Sequence, residues 1–568
     1  MATTEDYTTW SSESLIARIR ALESALGPTQ APATASPTVP GKFKKPPKAP
    51  KPFNASRYST RLIALKFAYL GGAYNGFEHH ANNSTPLPTV EEVLWRALRK
   101  VRLFFPDFPE GKAGGHGKDE LEEVCWEGVE YSKCGRTDKG VSAFGQVVGL
   151  RVRSARPLVK AKGLASTVSG ADDKDVNGMP DEVSMEDMPS DESAPEEPSF
   201  DPIKDELPYI QLLNRVLPPD IRVLAWCPNP PPDFSARFNC RERRYRYFFT
   251  NPAFAPLPGN AHKRGNGWLD INAMQSAAKK YEGLHDFRNF CKIDASKQIE
   301  NFERRVFHAG VHRVEAEDQP ASLVGVGAEA NRDAGGQLST PKPQLYWFEV
   351  RGSAFLWHQV RHLVAILFLV GQGWEKPELV DQLLDVSITP GRPMYDMASD
   401  VALVLWDCIF PDPEKLQQAD HADDGERSHA GGYEDGLDWV YVGDSEGGQD
   451  RAKKNPPGVE DGKYGRGGVM DDLWVLWRQR KMEEVLAGSL MNVVRRQGKP
   501  SKLRDVDFAL KSDRVYDGSE LPRTVGTYMP VMQRERMESP DVVNARYAVR
   551  KGLQYPRFRT AAVDDIGK

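Results

Sequence analysis

A long acidic segment divides this chain and constrains what it can fold into. Between Ala171 and Glu206, fourteen Asp and Glu residues stand against two lysines, which gives a local charge of −12. The remainder is rich in Ser, Pro and Met, so the segment cannot bury enough apolar surface to offset the entropy lost on folding. We therefore predict a disordered insert over about 155–206, with an ordered region on each side.

The acidic insert also masks a basic body. The 568 residues carry a formal net charge of −5, which on its own argues against a nucleic-acid partner. From Leu207 to Asp270, however, nine Lys and Arg stand against four Asp and Glu, a local charge of +5. A polyanion responds to the local charge, so nucleic-acid binding stays open.

Both ordered regions alternate β-rich runs with helical patterns, which predicts an α/β (α+β) fold of two sheet-plus-helix halves that form a cleft. The predicted regions are an N-terminal helix and basic Pro/Lys linker (1–57), a first half with the acidic insert (58–206), a second half with an insert at about 316–342 (207–413), and a largely disordered extension with a helix at about 471–490 (414–568). The apolar spacing from Leu15 to Leu26 fits either a short coiled-coil seam or a helix that docks on its own body.

Several functional classes are disfavoured by the composition. The six cysteines include no C-x-x-C pair, and Glu78-His79-His80 has no matching ligand set downstream, so we predict no metal site. There is no phosphate-binding G-K-[ST] and no G-x-S-x-G motif. The N-terminus resembles neither a signal nor a transit peptide, and the apolar run Leu363–Gly371 is too short to span a bilayer, so we expect an intracellular protein.

The loop KCGRTDKGV at Lys133–Val141 is the most specific local feature, because two glycines bracket a short polar segment. Such a loop can fix the carboxylate of Asp138, with Arg136 and Lys139 nearby to favour its ionised, nucleophilic form. On spacing alone, a β-turn in which Asp138 accepts backbone hydrogen bonds is the simpler interpretation.

The run RERRYRYFF at Arg241–Phe249 predicts a strand with two unlike faces. Alternation divides its side chains into an aromatic set and a mostly basic set, namely Tyr245, Tyr247 and Phe249 against Arg244, Arg246 and Phe248. Such groups suit base stacking and phosphate contact. The alternative is an aromatic row in the core with solvated arginines.

Arg361 lies in a helix, predicted over Phe355–Val370, that is otherwise strongly apolar. A buried Arg needs a carboxylate partner, because an uncompensated charge in the protein interior is costly. Alternatively, its long side chain extends the guanidinium to the surface.

Together these segments resemble the TruA-type tRNA pseudouridine synthases over roughly Arg61 to Phe410, apart from the inserts. The family's opening strand, turn and helix are similar to YLGGAYNGFEHH followed by TVEEVLWRAL. Its catalytic motif resembles KCGRTDKGVSAFGQVVGL. DFSARFNCRERRYRYFF resembles its tyrosine motif, and FLWHQVRHLVAILFLVGQG its arginine helix. Within the family, the match is closest to the eukaryotic branch that modifies tRNA positions 38 and 39. The residues that indicate this are Lys139, Ser142 and the segments HDFRNFCKID and RPMYDMASDVALVLWDC.

The resemblance implies a pseudouridine synthase and a role for each motif residue. Asp138 would be the nucleophile that allows uracil to detach from the ribose and reattach through carbon. Tyr245 would stack on the target base and could help remove the C5 proton, and Arg361 would pair with Asp138. Arg136 would enter the space left by the flipped nucleotide. The isomerisation is redox-neutral, so the resemblance implies no metal and no organic cofactor.

The implied partner is tRNA, bound at its anticodon stem-loop through basic residues that would make binding salt-dependent. The candidate RNA contacts are Arg136, Lys139, Arg243, Arg244, Arg246, His285 and Arg288. A homodimer in the nucleus and/or cytoplasm is also implied. Two alternatives stay open: the same chemistry at other tRNA or mRNA sites, and a non-catalytic tRNA-binding or folding protein.

Overall fold

The computed structural model describes residues 16, 54–80, 85–105, 124–158, 200–256, 266–315, 343–412, 433–444, 462–465, 467–497 and 512–553. The chain separates into two compact units, Met1–Asn54 and Ala55–Lys568. The predicted N-terminal helix and Pro/Lys linker fall almost entirely outside the described residues, as does the predicted insert at about 316–342. The fold below is that of the second unit.

One mixed sheet of ten strands forms the centre of the second unit. Its strands are β1 (Ser59–Tyr69), β2 (Ser132–Lys133), β3 (Ser142–Ser154), β4 (Ile221–Cys227), β5 (Glu242–Asn251), β6 (Gly283–Asp286), β7 (Glu303–Arg313), β8 (Gln344–Gly352), β9 (Leu403–Ile409) and β10 (Val440–Tyr441). The strand order is β10-β4-β1-β3-β9-β5-β8-β7-β6, and β2 also pairs with β3. Every pair is antiparallel except β3 and β9, which run parallel. A separate hairpin joins β11 (Asp513–Val515) to β12 (Arg523–Val525).

The described helices are α1 (Val90–Lys100), α2 (Tyr209–Asn214), α3 (Ile271–Lys279), α4 (Gln359–Gly371), α5 (Leu379–Leu384), α6 (Val469–Arg496) and α7 (Pro540–Lys551). Thr89 caps α1, because its side chain accepts a hydrogen bond from the backbone N–H of Glu92 at 3.3 Å. The apolar helix α4 begins four residues later than predicted, since His358 before it has a left-handed backbone with φ 61°. None of the described helices is long and apolar enough to cross a membrane.

Two hydrophobic cores lie along the sheet. The first packs α1, α2 and the strands around β1, and the second packs α3 and α4 against β5, β7 and β8. Within α4 every residue except Arg361 is buried. Full burial of one large aliphatic side chain contributes about 1.5–3 kcal/mol, so α4 is a main support of the second core. Tyr245 contacts both cores and therefore marks where they meet.

The two cores do not divide at residue 207, where the sequence predicts the boundary between the halves. Helix α2 and strand β4 follow that point but belong to the first core, because β4 pairs with β1. Leu405 and Cys408 of β9 also lie in the first core. The halves are therefore parts of one continuous sheet that exchange strands, rather than successive stretches of chain.

The end of the predicted disordered insert is folded. Glu206 is 2% exposed, and its carboxylate accepts hydrogen bonds from the side chain of Ser154 and from the backbone N–H groups of Ala155 and Leu207. Arg61 adds an ion pair at 3.1 Å. These contacts come from the ends of β1 and β3, so the acidic composition around Glu206 gave no sign of them.

Parts of the predicted disordered extension beyond residue 413 are folded too. Strand β10 pairs with β4, and Asp472 of α6 accepts a hydrogen bond from Arg222 at 2.7 Å. Val515 and Val531 are buried in the second core. These short apolar stretches lie among Gly, Asp and Lys, and they are stabilised by docking on the sheet rather than by any local pattern.

Candidate active site

The loop between β2 and β3 carries Asp138 and is held by buried side chains. Gln146 of β3 contacts Gly135 with both ends of its amide, since Oε1 accepts from the N–H of Gly135 and Nε2 donates to its carbonyl, each at 3.0 Å. The hydroxyls of Thr137 and Tyr69 lie 2.7 Å apart. These bonds hold the loop at Gly135 and at Thr137, the residue before Asp138.

Gly140 ends the loop at a point where a larger residue cannot fit. Its φ of 81° lies in the left-handed region. A Cβ at this position would lie 1.8 Å from Oδ2 of Asp400, which precedes β9. Gly140 therefore allows the carboxylate of Asp400 to approach the loop that carries Asp138.

The guanidinium of Arg361 binds Asp400, whereas the family resemblance leads us to expect a pair with Asp138. Its Nη2 lies 3.4 Å from Oδ1 of Asp400, and its Nε donates to the carbonyl of Ala398 at 2.7 Å. The side chain of Arg361 is only 11% exposed, so the expectation that it needs a carboxylate is met by a different residue. Arg361 still lies close enough to Asp138 to lower the pKa of its carboxyl group.

His358 is the group nearest to the Asp138 carboxylate among the described ion pairs. Its Nε2 lies 3.5 Å from Oδ2 of Asp138, and the left-handed backbone at His358 aims the ring there. Burial, followed by the positive charges of Arg361 and Lys292, lowers the pKa of His358 to about 4. The imidazole is therefore neutral near pH 7 and lies beside Asp138 as an uncharged polar neighbour rather than as a counter-ion.

The pKa of Asp138 is raised above its usual value, chiefly because burial penalises the charged form. Arg361 and a hydrogen bond from Trp357 lower the pKa in part, while the negative charge of Asp400 raises it further. Arg136, which the sequence predicts to favour the ionised form of Asp138, pairs instead with Glu78 at 3.1 Å. Asp138 therefore loses its proton at a higher pH than a solvated aspartate does.

Tyr245 lies on β5 and packs edge-on against Phe355, with ring centroids 5.2 Å apart. Its burial raises the pKa of the phenol, and the nearby Asp138 acts in the same direction. The hydroxyl is therefore protonated at neutral pH, and the ring presents an aromatic surface beside Asp138. This favours the stacking role that the resemblance implies over direct removal of a proton.

A cavity of about 630 Å³ opens over these residues and is lined by Asp138, Tyr245 and Arg361 together. A volume of this order accommodates one nucleotide-sized ligand. Six further cations line it, namely Lys133, Arg136, Arg237, Arg243, Lys297 and Arg304. Asp138 is the one carboxylate among the described lining residues, whose other charged side chains are all cationic.

The seven candidate RNA contacts separate into those at the cavity and those away from it. Arg136 and Arg243 line it, although Arg243 is held by the carbonyls of Ser353 at 2.7 Å and Cys134 at 3.2 Å. Lys139 is exposed on the loop that carries Asp138 but is not among the described residues that line the cavity. Arg136 is therefore the one exposed candidate among the described residues that line the cavity, and Lys139 is exposed three residues further along the same loop.

Arg244 and Arg246 lie on the other face of β5, as the predicted alternation requires. Arg244 binds the buried Glu242 at 2.6 Å, and Arg246 binds Glu349 at 3.2 Å and covers the ring of Trp406. The structure therefore does not bring them to the cavity that contains Asp138.

His285 and Arg288 also have local partners. His285 Nε2 lies 2.8 Å from the carbonyl of Glu282, and Arg288 holds Asp286 with a shortest contact of 2.7 Å. Neither is part of the cavity lining among the described residues.

The sequence interpretation missed three groups at the cavity. His358 and Trp357 immediately precede the arginine helix, where the motif WHQVR could have identified them. Phe238 lines the mouth and is 72% exposed, with the Arg237 guanidinium 5.3 Å from its ring centroid. An exposed aromatic beside a cation on a cavity wall suits base stacking. Its sequence context, a run after the Pro-rich turn at residues 228–232, carried no such signal.

Comparison with known proteins identifies relatives that span most of this architecture. The family model described as tRNA pseudouridine synthase matches residues 277–411. The chain is 36% identical over 424 residues to the tRNA pseudouridine(38/39) synthase of Saccharomyces cerevisiae, which covers 72% of each protein. It is 40% and 39% identical to the bovine and human proteins of the same name. Those alignments cover 64% of this chain and 58% of each mammalian protein, less than two thirds of their length.

Proposed function

The chain belongs to the tRNA pseudouridine synthase family, and from that membership we propose that it isomerises uridine to pseudouridine in tRNA. The target is the anticodon stem-loop at positions 38 and 39, the positions in the names of its yeast, bovine and human relatives. The observation that supports the proposal is the cavity in which Asp138, the single carboxylate of the described lining, lies next to Tyr245 and Arg361.

In this reaction the bond between the ribose C1′ and N1 of uracil breaks, and a bond between C1′ and C5 forms. The base loses the proton of C5 and gains one at N1, so no oxidant or reductant is consumed. Asp138 is the nucleophile that allows the base to detach. The loop bonds from Gln146 and Thr137 support this role, because a nucleophile must be held at a fixed distance from the reacting carbon.

Tyr245 stacks on the flipped base, and its protonated phenol suits this role. Arg361 keeps Asp138 ionised in a buried setting, where it is the strongest of the influences that lower the pKa of that carboxyl. Its bonds to Ala398 and Asp400 hold the guanidinium in place for this purpose. Neutral His358 lies beside Asp138, with Nε2 3.5 Å from Oδ2, and limits how the carboxylate can turn.

The tRNA binds through the cationic wall of the cavity and its mouth. Arg136 enters the space that the flipped nucleotide leaves, and Lys139 contacts a nearby phosphate. Phe238 stacks on a neighbouring base with Arg237 alongside. Four of the candidate RNA contacts are bound to groups away from the cavity, and they contribute only to the overall positive electrostatic potential that attracts the tRNA. They are Arg244, Arg246, His285 and Arg288. Each phosphate neutralised adds to the salt dependence of binding.

The protein acts as a homodimer inside the cell, in the nucleus and/or cytoplasm. These two statements rest on family resemblance and are tested separately from the chemistry. Light scattering on the full chain measures its mass, and a version without the first fifty or so residues tests whether the Leu15–Leu26 segment contributes to assembly.

The test of the reaction uses unmodified tRNA transcripts, purified full-length protein and site-by-site mapping of pseudouridine. We expect product at positions 38 and 39 with the native chain and none with Asp138→Asn, which preserves shape but removes the nucleophile. Product formed by Asp138→Asn refutes the nucleophile. Product confined to other tRNA or mRNA sites refutes the target, and tight tRNA binding by a native chain without product supports a non-catalytic binding protein instead.

A further inference from the structure

Two histidines and a glutamate converge on the sheet face opposite Tyr245. His308 and His312 lie four residues apart on β7, so both side chains project from one side of that strand. Glu349 lies on β8 directly opposite Gly310, between the two histidines. The three side chains each offer a donor atom, and these atoms lie within 4.8 Å of one another.

Gly310 leaves room for this convergence. A Cβ at position 310 would lie 3.0 Å from Nε2 of His312 and 3.2 Å from Nε2 of His308. The two Nε2 atoms therefore approach each other above the bare backbone of the glycine. Nε2 of His308 also lies 3.9 Å from Oε2 of Glu349. All three donors thus face the same small volume.

The surrounding groups leave these donor atoms available. Nδ1 of His308 lies 3.4 Å from Oε1 of Glu282, a contact that favours the tautomer with the proton on Nδ1 and a lone pair on Nε2. Nε2 of His312 is buried and has no hydrogen-bond partner among the described residues. Arg246 contacts Oε1 of Glu349 at 3.2 Å, which leaves Oε2 facing the histidines. An imidazole oriented by a carboxylate on its other nitrogen is the usual arrangement around a bound metal.

We propose that His308, His312 and Glu349 bind a divalent transition-metal ion of the Zn²⁺ type. Imidazole and carboxylate donors suit Zn²⁺, and three protein ligands leave a further position for water. Zinc bonds of about 2.0–2.1 Å would place the donors about 3.4 Å apart, so side-chain rotations of little more than about 1 Å complete the site. The ion would tie β7 to β8 on the face away from Asp138, so it has no part in the isomerisation.

Two cations near the proposed site reduce the negative charge available to bind a metal ion. Arg246 is bound to Glu349, and Lys279 is bound to Glu282 at 2.7 Å. Each neutralises part of the negative charge that attracts an ion. The side chain of His308 is 28% exposed, however, so a hydrated ion can reach the site from that side. A second cluster, Cys134, Cys240 and Cys408, is fully buried beside the guanidinium of Arg243 and offers an ion no such entry.

The experiment titrates ZnCl₂ into chelator-treated, dialysed full-length protein by isothermal titration calorimetry. We expect one ion per chain, with affinity reduced at least about 100-fold in the double variant His308→Ala/His312→Ala. Gly310→Ala keeps all three ligands but fills the space between them, so it should weaken binding as well. His80→Ala is the matched control, since it removes an exposed histidine elsewhere and should leave Zn²⁺ binding unchanged.

Circular dichroism on each variant separates loss of the site from loss of the fold, and any misfolded variant is replaced by Glu349→Gln. Absence of stoichiometric binding by the native chain overturns the proposal. So does unchanged affinity in folded forms of both ligand variants. Loss of binding in Cys240→Ser, with binding kept in the histidine variant, assigns the ion to the cysteines and overturns it equally.

Discussion

Replacement of Arg361 by Leu is the sharpest test of how the candidate site is held together. Leu keeps the apolar helix α4 intact but removes the guanidinium that binds the carbonyl of Ala398 and the carboxylate of Asp400. Loss of a hydrogen bond from a charged group costs about 1.5–3 kcal/mol. Removal of one partner of a fully buried ion pair costs about 3–5 kcal/mol.

The expected destabilisation lies below that upper range, because the side chain of Asp400 is 30% exposed and water can solvate part of its charge. We therefore expect Arg361→Leu to lower the free energy of unfolding by about 2–3 kcal/mol. Urea unfolding followed by tryptophan fluorescence measures this loss as a lower midpoint. Asp400→Asn is the matched variant, since it removes the same ion pair from the other side and keeps the bond to Ala398, so it should cost less.

Pseudouridine formation distinguishes support of the fold from support of Asp138. Arg361 lowers the pKa of Asp138 and Asp400 raises it. Arg361→Leu should therefore reduce activity near neutral pH more than Asp400→Asn, even when both proteins are fully folded. Equal stability of Arg361→Leu and the native chain, together with full activity, would refute the reasoning.

Three other outcomes are expected. Because the pKa of Asp138 is raised above the ordinary aspartate value of 3.8, kcat/KM should already fall at a pH above that value as the solution is acidified. Asp400→Asn removes a negative charge that raises this pKa, so it should move the fall in kcat/KM to lower pH. An unshifted pH profile in that variant would contradict the assignment. Arg136→Ala should weaken tRNA binding and lower the slope of log binding constant against log salt concentration by about 0.7–0.9. Arg246→Ala, on the opposite face of the sheet, should leave this slope unchanged. Equal effects of the two substitutions would contradict the placement of the two arginines. Phe238→Ala should weaken tRNA binding by about 1–3 kcal/mol without changing the urea midpoint of unfolding. Leu521→Ala is a control at a side chain of similar exposure, 76%, and should not affect tRNA binding. Equal tRNA binding by both variants would show that Phe238 is not part of the interface.

The loop that carries Asp138 and the alternating faces of β5 could be predicted because both depend on residues close together in sequence. Two glycines and a polar segment specify a turn, and alternation assigns Tyr245 and Arg246 to opposite faces. The same alternation was sufficient to exclude Arg244 and Arg246 from the cavity. Their assignment as RNA contacts followed from charge alone, which does not indicate the buried Glu242 or the half-buried Glu349 that bind them.

The partner of Arg361 could not be predicted, because its identity depends on tertiary approach. The need for a carboxylate follows from burial, but two candidates are available in the fold. Asp400 is chosen since Gly140 lets its carboxylate come close to the loop, a contact between residues that no local pattern connects. The boundary between the halves was missed for a similar reason, because β4 returns to pair with β1.

The parallel pairing of β3 with β9 has a consequence for how the protein becomes active during synthesis. Ser142 and Val404 are partners in this pairing, although most of the second core lies between them in sequence. The Asp138 loop is therefore translated long before Asp400, and the nascent chain cannot complete the cavity until β9 has emerged. Contacts between such distant residues slow folding, whereas each doubling of the connecting chain adds only about 0.6 kcal/mol of closure entropy. Insertions between the two strands should thus delay maturation of the enzyme while leaving its final stability almost unchanged.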